Sequence, residues 1–289
     1  MSVTQERHEG VNTLVIFGMG YTASALARRL APGTWQVIGT TREGGNGAIR
    51  WPGTDMRPAL GRATHLLISI APDAAGDPVL NALEDEIARV APRLKWAGYL
   101  STTGVYGDHG GGWVDEETPP APATRRGAQR VKAEAEWQAL AARSGLALHI
   151  FRLAGIYGPG RGPFAKVRRG TARRIIKPGQ VFSRAHVEDI AQVLMASMAR
   201  PDPGRVYNVC DDEAAPPEDV LAHAAELLGL PVPPKEDFAT AEMSAMARSF
   251  YAESKRVRNN RIKRELGIRL LYPTYREGLT ALLADEPGA

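Results

Sequence analysis

The chain has 289 residues with 36 Lys+Arg against 32 Asp+Glu, a net charge of +4, and 44% hydrophobic and 24% charged residues. This balance suits one large globular domain or two unequal ones; it excludes a disordered or fibrous chain and, by itself, gives no reason to expect a nucleic-acid partner. The single cysteine, Cys210, excludes an internal disulfide and fits a reducing cytoplasm. No apolar run reaches the ~20 residues of a membrane helix, and the polar stretch 1–10 has no apolar signal core.

In chain order, 12–17 is an apolar, β-branched run that predicts a strand. It leads into Gly18-Met19-Gly20-Tyr21-Thr22-Ala23, after which the spacing turns helical over 21–30. Strand, glycine turn and helix open a dinucleotide-binding βαβ unit. Gly18 permits the sharp turn, Gly20 lets a pyrophosphate approach the backbone, and Ala23 lets the helix pack closely on the strand. The N–H groups that open the helix would hold the phosphates. Pro32-Gly33 ends this helix and 35–39 predicts the second strand. At its end, where an acidic residue would hold a ribose 2′-hydroxyl, stand Thr40, Thr41 and Arg42. Hydroxyls and a guanidinium suit a 2′-phosphate, which favours NADP over NAD; the alternative is a solvated loop arginine.

A short third strand is expected over 48–51. A buried one follows over 65–70, ending in Ser69-Ile70-Ala71, where a cofactor would pass. The spacing of Val79, Leu80, Leu83, Ile87 and Val90 predicts an amphipathic helix over 77–90. Strands over 96–100 and 147–153 flank a helix over 124–143. This alternation predicts an α/β fold with a Rossmann-type, doubly wound parallel sheet.

The stretch Leu100-Ser101-Thr102-Thr103-Gly104-Val105-Tyr106-Gly107 resembles the strand-end motif of the extended short-chain dehydrogenase/reductase family. Glu117-Thr118-Pro119, Phe151-Arg152-Leu153-Ala154-Gly155-Ile156-Tyr157-Gly158-Pro159-Gly160-Arg161 and Ser183-Arg184-Ala185-His186-Val187-Glu188-Asp189-Ile190-Ala191 resemble three more of its signatures, in the family's order. The resemblance extends over about 12–275 and is nearest to the atypical branch labelled NAD-dependent epimerase/dehydratase-like. It implies a cofactor-binding domain of residues 1–155 and 181–213, the returning part with a helix over 187–199 and a strand over 206–209. A smaller, split substrate-capping domain would be formed by 156–180 and 214–289, with helices over 217–229 and 274–284.

The resemblance also implies a chemistry. In the family a Tyr-x-x-x-Lys pair on one helix face serves hydride transfer. The lysine holds the nicotinamide ribose and the tyrosine exchanges a proton with the substrate, while an upstream serine or threonine orients the substrate oxygen. Matched to this chain, Thr102 takes the upstream position, Lys132 the lysine and Ala128 the tyrosine, so the phenol is missing. Tyr106 is the alternative proton donor, and Arg125, Arg126 or Gln129 the alternative oxyanion partners. Thr103, Arg126, Arg161 and His186 are candidate substrate-binding residues, with a structural role open for His186.

Two basic clusters, one of Arg161, Lys166, Arg168, Arg169, Arg173, Arg174 and Lys177 and one of Lys255, Arg256, Arg258, Arg261, Lys263 and Arg264, suit either an anionic substrate or solvated faces. No helix-turn-helix, stacking platform or metal-ligand spacing appears. The expectation is an NADP-dependent oxidoreductase or epimerase of the cytoplasm, acting on a small anionic carbonyl or nucleotide-sugar substrate. Neither nucleic acid nor membrane would be a partner, and a homodimer through the helix of Lys132 is open. The alternative is a non-catalytic NADP-binding sensor or scaffold.

Overall fold

In β1 (Asn12–Phe17), Leu14, Val15, Ile16 and Phe17 are all fully buried, because successive side chains point to opposite faces and both faces are covered. Leu14 and Ile16 join a core with Ala23, Leu26, Val187 and Leu194; Val15 and Phe17 join another with Val79, Ile87 and Trp137. The protein is described by a computed structural model over residues 11–286; the stretch 1–10 and the last three residues lie outside the described residues.

After β1 come α1 (Tyr21–Arg29), β2 (Trp35–Thr41), the short β3 (Ile49–Arg50) and α2 (Arg57–Leu60). Then follow β4 (His65–Ile68), α3 (Pro78–Val90), β5 (Trp96–Thr102), a 3-10 turn at Thr103–Tyr106, β6 (Trp113–Val114), α4 (Arg125–Ser144) and β7 (Leu148–Leu153). Asp77 caps α3 and Thr124 caps α4, each through a side-chain oxygen that accepts first-turn N–H groups. The second half holds β8 (Gly155–Tyr157), α5 (Phe164–Arg168), β9 (Arg174–Ile176), β10 (Arg184–His186), α6 (Val187–Ala199) and β11 (Val206–Val209). It ends with α7 (Pro217–Leu227), β12 (Lys235–Asp237), α8 (Ala245–Phe250), β13 (Arg256–Val257), α9 (Asn260–Leu266) and α10 (Tyr275–Ala284).

Seven strands form one sheet in the order β11-β7-β5-β4-β1-β2-β3, every neighbouring pair parallel. The chain runs outward from β1 to β3 and then crosses to β4, so the order reverses between β1 and β4. In such sheets ligands bind beyond the carboxyl ends of the strands at that reversal. The expected α/β Rossmann-type sheet is therefore present. Three two-stranded ribbons lie outside it: β8 with β10, β9 with β12 and β6 with β13. They had no periodic signal in the sequence, because strands of two or three residues show too little alternation to read. A separate apolar cluster of Tyr157, Phe164, Val167, Val220, Tyr275 and Leu279 joins α5, α7 and α10.

The sheet's second half is tied across its layers by a buried polar network. Arg152 on β7 and Glu134 on α4 form an ion pair at 2.7 Å with side chains 7% and 4% exposed. Ser101 on β5 donates to Glu134 at 2.5 Å, and Arg152 Nη1 donates to the Tyr106 hydroxyl at 3.0 Å. That hydroxyl donates in turn to Asn208 Oδ1 on β11 at 2.7 Å. His186 ends β10 and caps α6: its Nδ1 accepts the Glu188 N–H at 3.2 Å, which leaves the imidazole neutral with its proton on Nε2. Burial pushes its pKa down to about 4.

Arg152→Met should destabilise the fold by about 3–5 kcal/mol, since it leaves the Glu134 carboxylate buried and unpaired; urea unfolding measures it, and a loss below about 1 kcal/mol would remove the network from its central place. His186 takes up a proton on unfolding below its ordinary pKa of 6.5. Wild-type stability relative to His186→Asn, which keeps a capping oxygen, should therefore fall by on the order of 2 kcal/mol between pH 6.5 and 4. Parallel pH curves for the two proteins would contradict this.

Candidate functional site

The glycine turn sits at the reversal point of the sheet. Gly18 has φ +94°, and a Cβ there would lie 2.9 Å from Ile70 Cγ1 and 3.1 Å from the Ile70 N, so only glycine lets β1 and the exit of β4 pass this closely. The turn is pinned to β2 by the Gly18 N–H donating to Thr40 Oγ1 at 3.0 Å and the Met19 N–H to the Thr40 carbonyl at 2.7 Å. Met19 lies across Gly39, where a Cβ would stand 2.2 Å from its Cε. At Gly20 an added Cβ would meet nothing within 4 Å, so the space over the turn is open. The N–H groups of Tyr21, Thr22 and Ala23 have no acceptor among the described residues. Three open donors at the positive end of α1 fit the phosphates of a dinucleotide. Ser69 and Ile70 line the exit of β4, half-buried, with the exposed Ala71 beyond them.

At the end of β2, Thr41 Oγ1 accepts the Gly44 N–H at 2.9 Å. Gly44, Gly45, Asn46 and Gly47 all have positive φ, which turns the 42–48 loop back tightly enough for β3 to pair beside β2. The register sets Thr41 opposite Arg50. Arg42 and Arg50 thus flank the strand end, both exposed and neither side chain with an ion-pair or hydrogen-bond partner among the described residues. Arg50 was not expected from the sequence; the signal for it was the pairing of a short edge strand, visible only in the fold.

Beyond β5, Thr102 Oγ1 accepts the Gly104 N–H at 3.1 Å and caps the 3-10 turn, leaving its own hydroxyl proton free for another partner; Thr103 stands beside it, and both are half-buried. Tyr106 is fully buried with its hydroxyl held between Asn208 and Arg152. Burial raises its pKa. Its phenol belongs to the interlayer network and does not face the strand-end opening, so the structure withdraws it as a proton donor.

The placement of α4 decides which of its residues face the sheet. Gly127 approaches the 3-10 turn so closely that a Cβ would lie 2.7 Å from the Gly104 carbonyl oxygen. Arg130 donates to the Leu100 carbonyl at 2.7 Å and to the Tyr99 hydroxyl at 3.0 Å, and Glu134 meets Ser101 and Arg152. These residues define the face turned to the sheet. Lys132 lies two residues from both Arg130 and Glu134, about 200° around a helix of 3.6 residues per turn. Its side chain is 65% exposed and pairs with Glu136 at 3.5 Å. Ala128 is exposed on the same outer side. Lys132 and Ala128 therefore lie on the outer face of α4, away from the residues that meet the strand ends. The inward positions four apart are Arg126 and Arg130. Arg126 is exposed in the first turn of α4 with no partner among the described residues, whereas Arg130 is folded onto β5.

His186, buried against Tyr157 and Tyr272, serves as the cap described above. Arg161 does not stand with a substrate-side cluster; its guanidinium lies over the Tyr21 ring, 5.6 Å from the centroid. Most of the other basic residues are already engaged: Arg168 with Glu286, Arg173 with Glu236, Lys177 with the Tyr251 carbonyl, Lys255 with Glu253, Arg261 with Glu116 and Glu117, and Lys263 with Asp212. Among the described residues no group of His, Cys, Asp and Glu could hold a metal ion, and no helix is long and apolar enough to cross a membrane.

Comparison with known proteins agrees with this geometry. The family model described as "NAD dependent epimerase/dehydratase family" matches residues 82–210. Protein YeeZ of Escherichia coli (strain K12) is 31% identical over 283 residues, covering 90% of this chain and 96% of that protein. The structure of a functionally unknown conserved protein from Silicibacter pomeroyi DSS is 62% identical with a TM-score of 0.88, covering 95% of this chain and 99% of that one. MoeE5, solved in complex with UDP-glucose and NAD, is 19% identical with a TM-score of 0.77, covering 94% and 98%, and so shares the fold. With the reversal-point glycine turn and the strand-end motif in place, the chain belongs to the NAD-dependent epimerase/dehydratase family.

Proposed function

We propose that the protein is an NADP-dependent oxidoreductase or epimerase acting on a small carbonyl or sugar substrate, with Arg126 and Thr102 in place of the family's phenol-centred chemistry. The observation that carries the cofactor half is the open turn of β1–α1, with three unengaged N–H donors, joined to two unpaired arginines, Arg42 and Arg50, at the end of β2. Two guanidinium forks suit a 2′-phosphate, and an acidic residue that would prefer a free ribose hydroxyl is absent from 40–42. The bound nicotinamide would supply the hydride chemistry. The chain's own part is to bind and orient. The N–H groups of Tyr21, Thr22 and Ala23 hold the diphosphate. The Thr102 hydroxyl donates to the substrate oxygen, and the Arg126 guanidinium stabilises the charge that grows on that oxygen as hydride arrives. An arginine keeps its proton, so the oxyanion takes its proton from water. We further assign residues 156–180 and the chain from 214 onward to the cap over the substrate.

The second reading is an NADP-binding sensor or scaffold without turnover. Arg126 and Arg130 in the two inward positions favour it, since neither offers the phenol that the family's proton exchange uses.

Fluorescence titration should give tighter binding of NADPH than of NADH. Arg42→Ala and Arg50→Ala should each weaken NADPH about tenfold and leave NADH unchanged; equal binding of both cofactors would overturn the NADP assignment. In a screen of carbonyl and sugar substrates, Arg126→Ala should lower kcat by about tenfold or more while Lys132→Ala stays at the wild-type rate. An active Arg126→Ala with an impaired Lys132→Ala would restore the rejected register, and no turnover with any substrate would favour the sensor.

A further inference from the structure

We infer that Arg161 binds the cofactor's diphosphate and that the turn 158–161 is a strap that reaches over the glycine turn from the far side of the site. The inference rests on the cofactor reading above. The strap follows β8 and is closed by reciprocal backbone bonds, Gly158 N–H to the Arg161 carbonyl at 3.0 Å and Arg161 N–H to the Gly158 carbonyl at 2.9 Å. It is fastened to α1, because the Tyr21 hydroxyl donates to the Pro159 carbonyl at 3.0 Å. Gly158 has φ +154°, and a Cβ there would lie 2.5 Å from the Tyr21 hydroxyl oxygen and 2.7 Å from Val187 Cγ1. Only glycine lets the strap come down this far onto α1 and α6.

The result is an electrostatic arrangement that calls for an anion. Tyr21 is the first residue of α1, and its N–H is one of the three open donors. Arg161 is stacked on its ring, exposed, with no carboxylate partner among the described residues. Its neighbours Arg168 and Arg173 are both neutralised by glutamates. A guanidinium left unpaired beside the positive end of a helix is unfavourable until a negative group joins them. A diphosphate seated on the N–H groups of α1 supplies that group, and arginine's fork matches its oxygens. Arg161 and the open N–H groups would then grip one ligand from two separate parts of the chain, so that cofactor binding also fixes the strap.

The test is calorimetric titration of the full chain and of Arg161→Gln with NADPH, ADP-ribose and adenosine 2′-monophosphate. NADPH and ADP-ribose carry the diphosphate; the third ligand probes only the adenosine end. Arg161→Gln should weaken NADPH and ADP-ribose about tenfold and leave adenosine 2′-monophosphate unchanged. Tyr21→Phe, which releases the strap without removing charge, should weaken the same two ligands by a smaller factor. If wild type binds the dinucleotide and Arg161→Gln binds it equally well, the inference is overturned while the cofactor reading stands. If Arg161→Gln loses all three ligands equally, its effect is on folding and the inference is overturned as well. If wild type binds none of the three, the cofactor reading itself has failed.

Discussion

The buried contact between Arg152 and Glu134 governs the geometry on the far side of the sheet's reversal. It joins β7 to α4, and through Ser101, Tyr106 and Asn208 it also takes in β5 and β11. A buried ion pair is a weak source of net stability, because desolvation offsets most of the attraction. It does impose direction. Only one rotation of α4 brings Glu134 to Arg152, and that rotation places Arg130 on the Leu100 carbonyl and Gly127 under the 3-10 turn. The residues that α4 presents beside Thr102 follow from the constraint.

That rotation decides how the helix is matched to the family pattern. By sequence alone a lysine with a glutamate four residues on, Lys132 and Glu136, looks like the right register. Those residues instead form an ordinary exposed pair, while the half-buried Arg130 and the buried Glu134, also four apart, hold the structural positions. A helix of alternating Arg, Lys, Ala and Glu offers several registers of similar appearance. Burial separates them, and burial depends on partners from β5 and β7 that are close only in the fold.

Other features were legible because each left a local trace. The glycine turn has its own spacing, the seven-stranded sheet its strand–helix alternation, and α3 its apolar periodicity. Tyr106 was misjudged for the opposite reason. Its place next to the strand-end motif is a sequence fact, but the direction of its hydroxyl is set by Asn208 and Arg152, distant in the chain. The three small ribbons and the placing of Arg50 opposite Thr41 at the end of β2 likewise come from pairing between separate segments. The basic clusters looked like ligand sites until their carboxylate and carbonyl partners were in view.

The inward arginines of α4 carry one more consequence. A tyrosine–lysine pair is a titrating device: its charge state, and with it the field at the substrate, changes over the working range of pH. Guanidinium groups hold their charge throughout that range. The arginines that α4 carries at these positions therefore make it a source of positive charge, where the family's pair would be a switch.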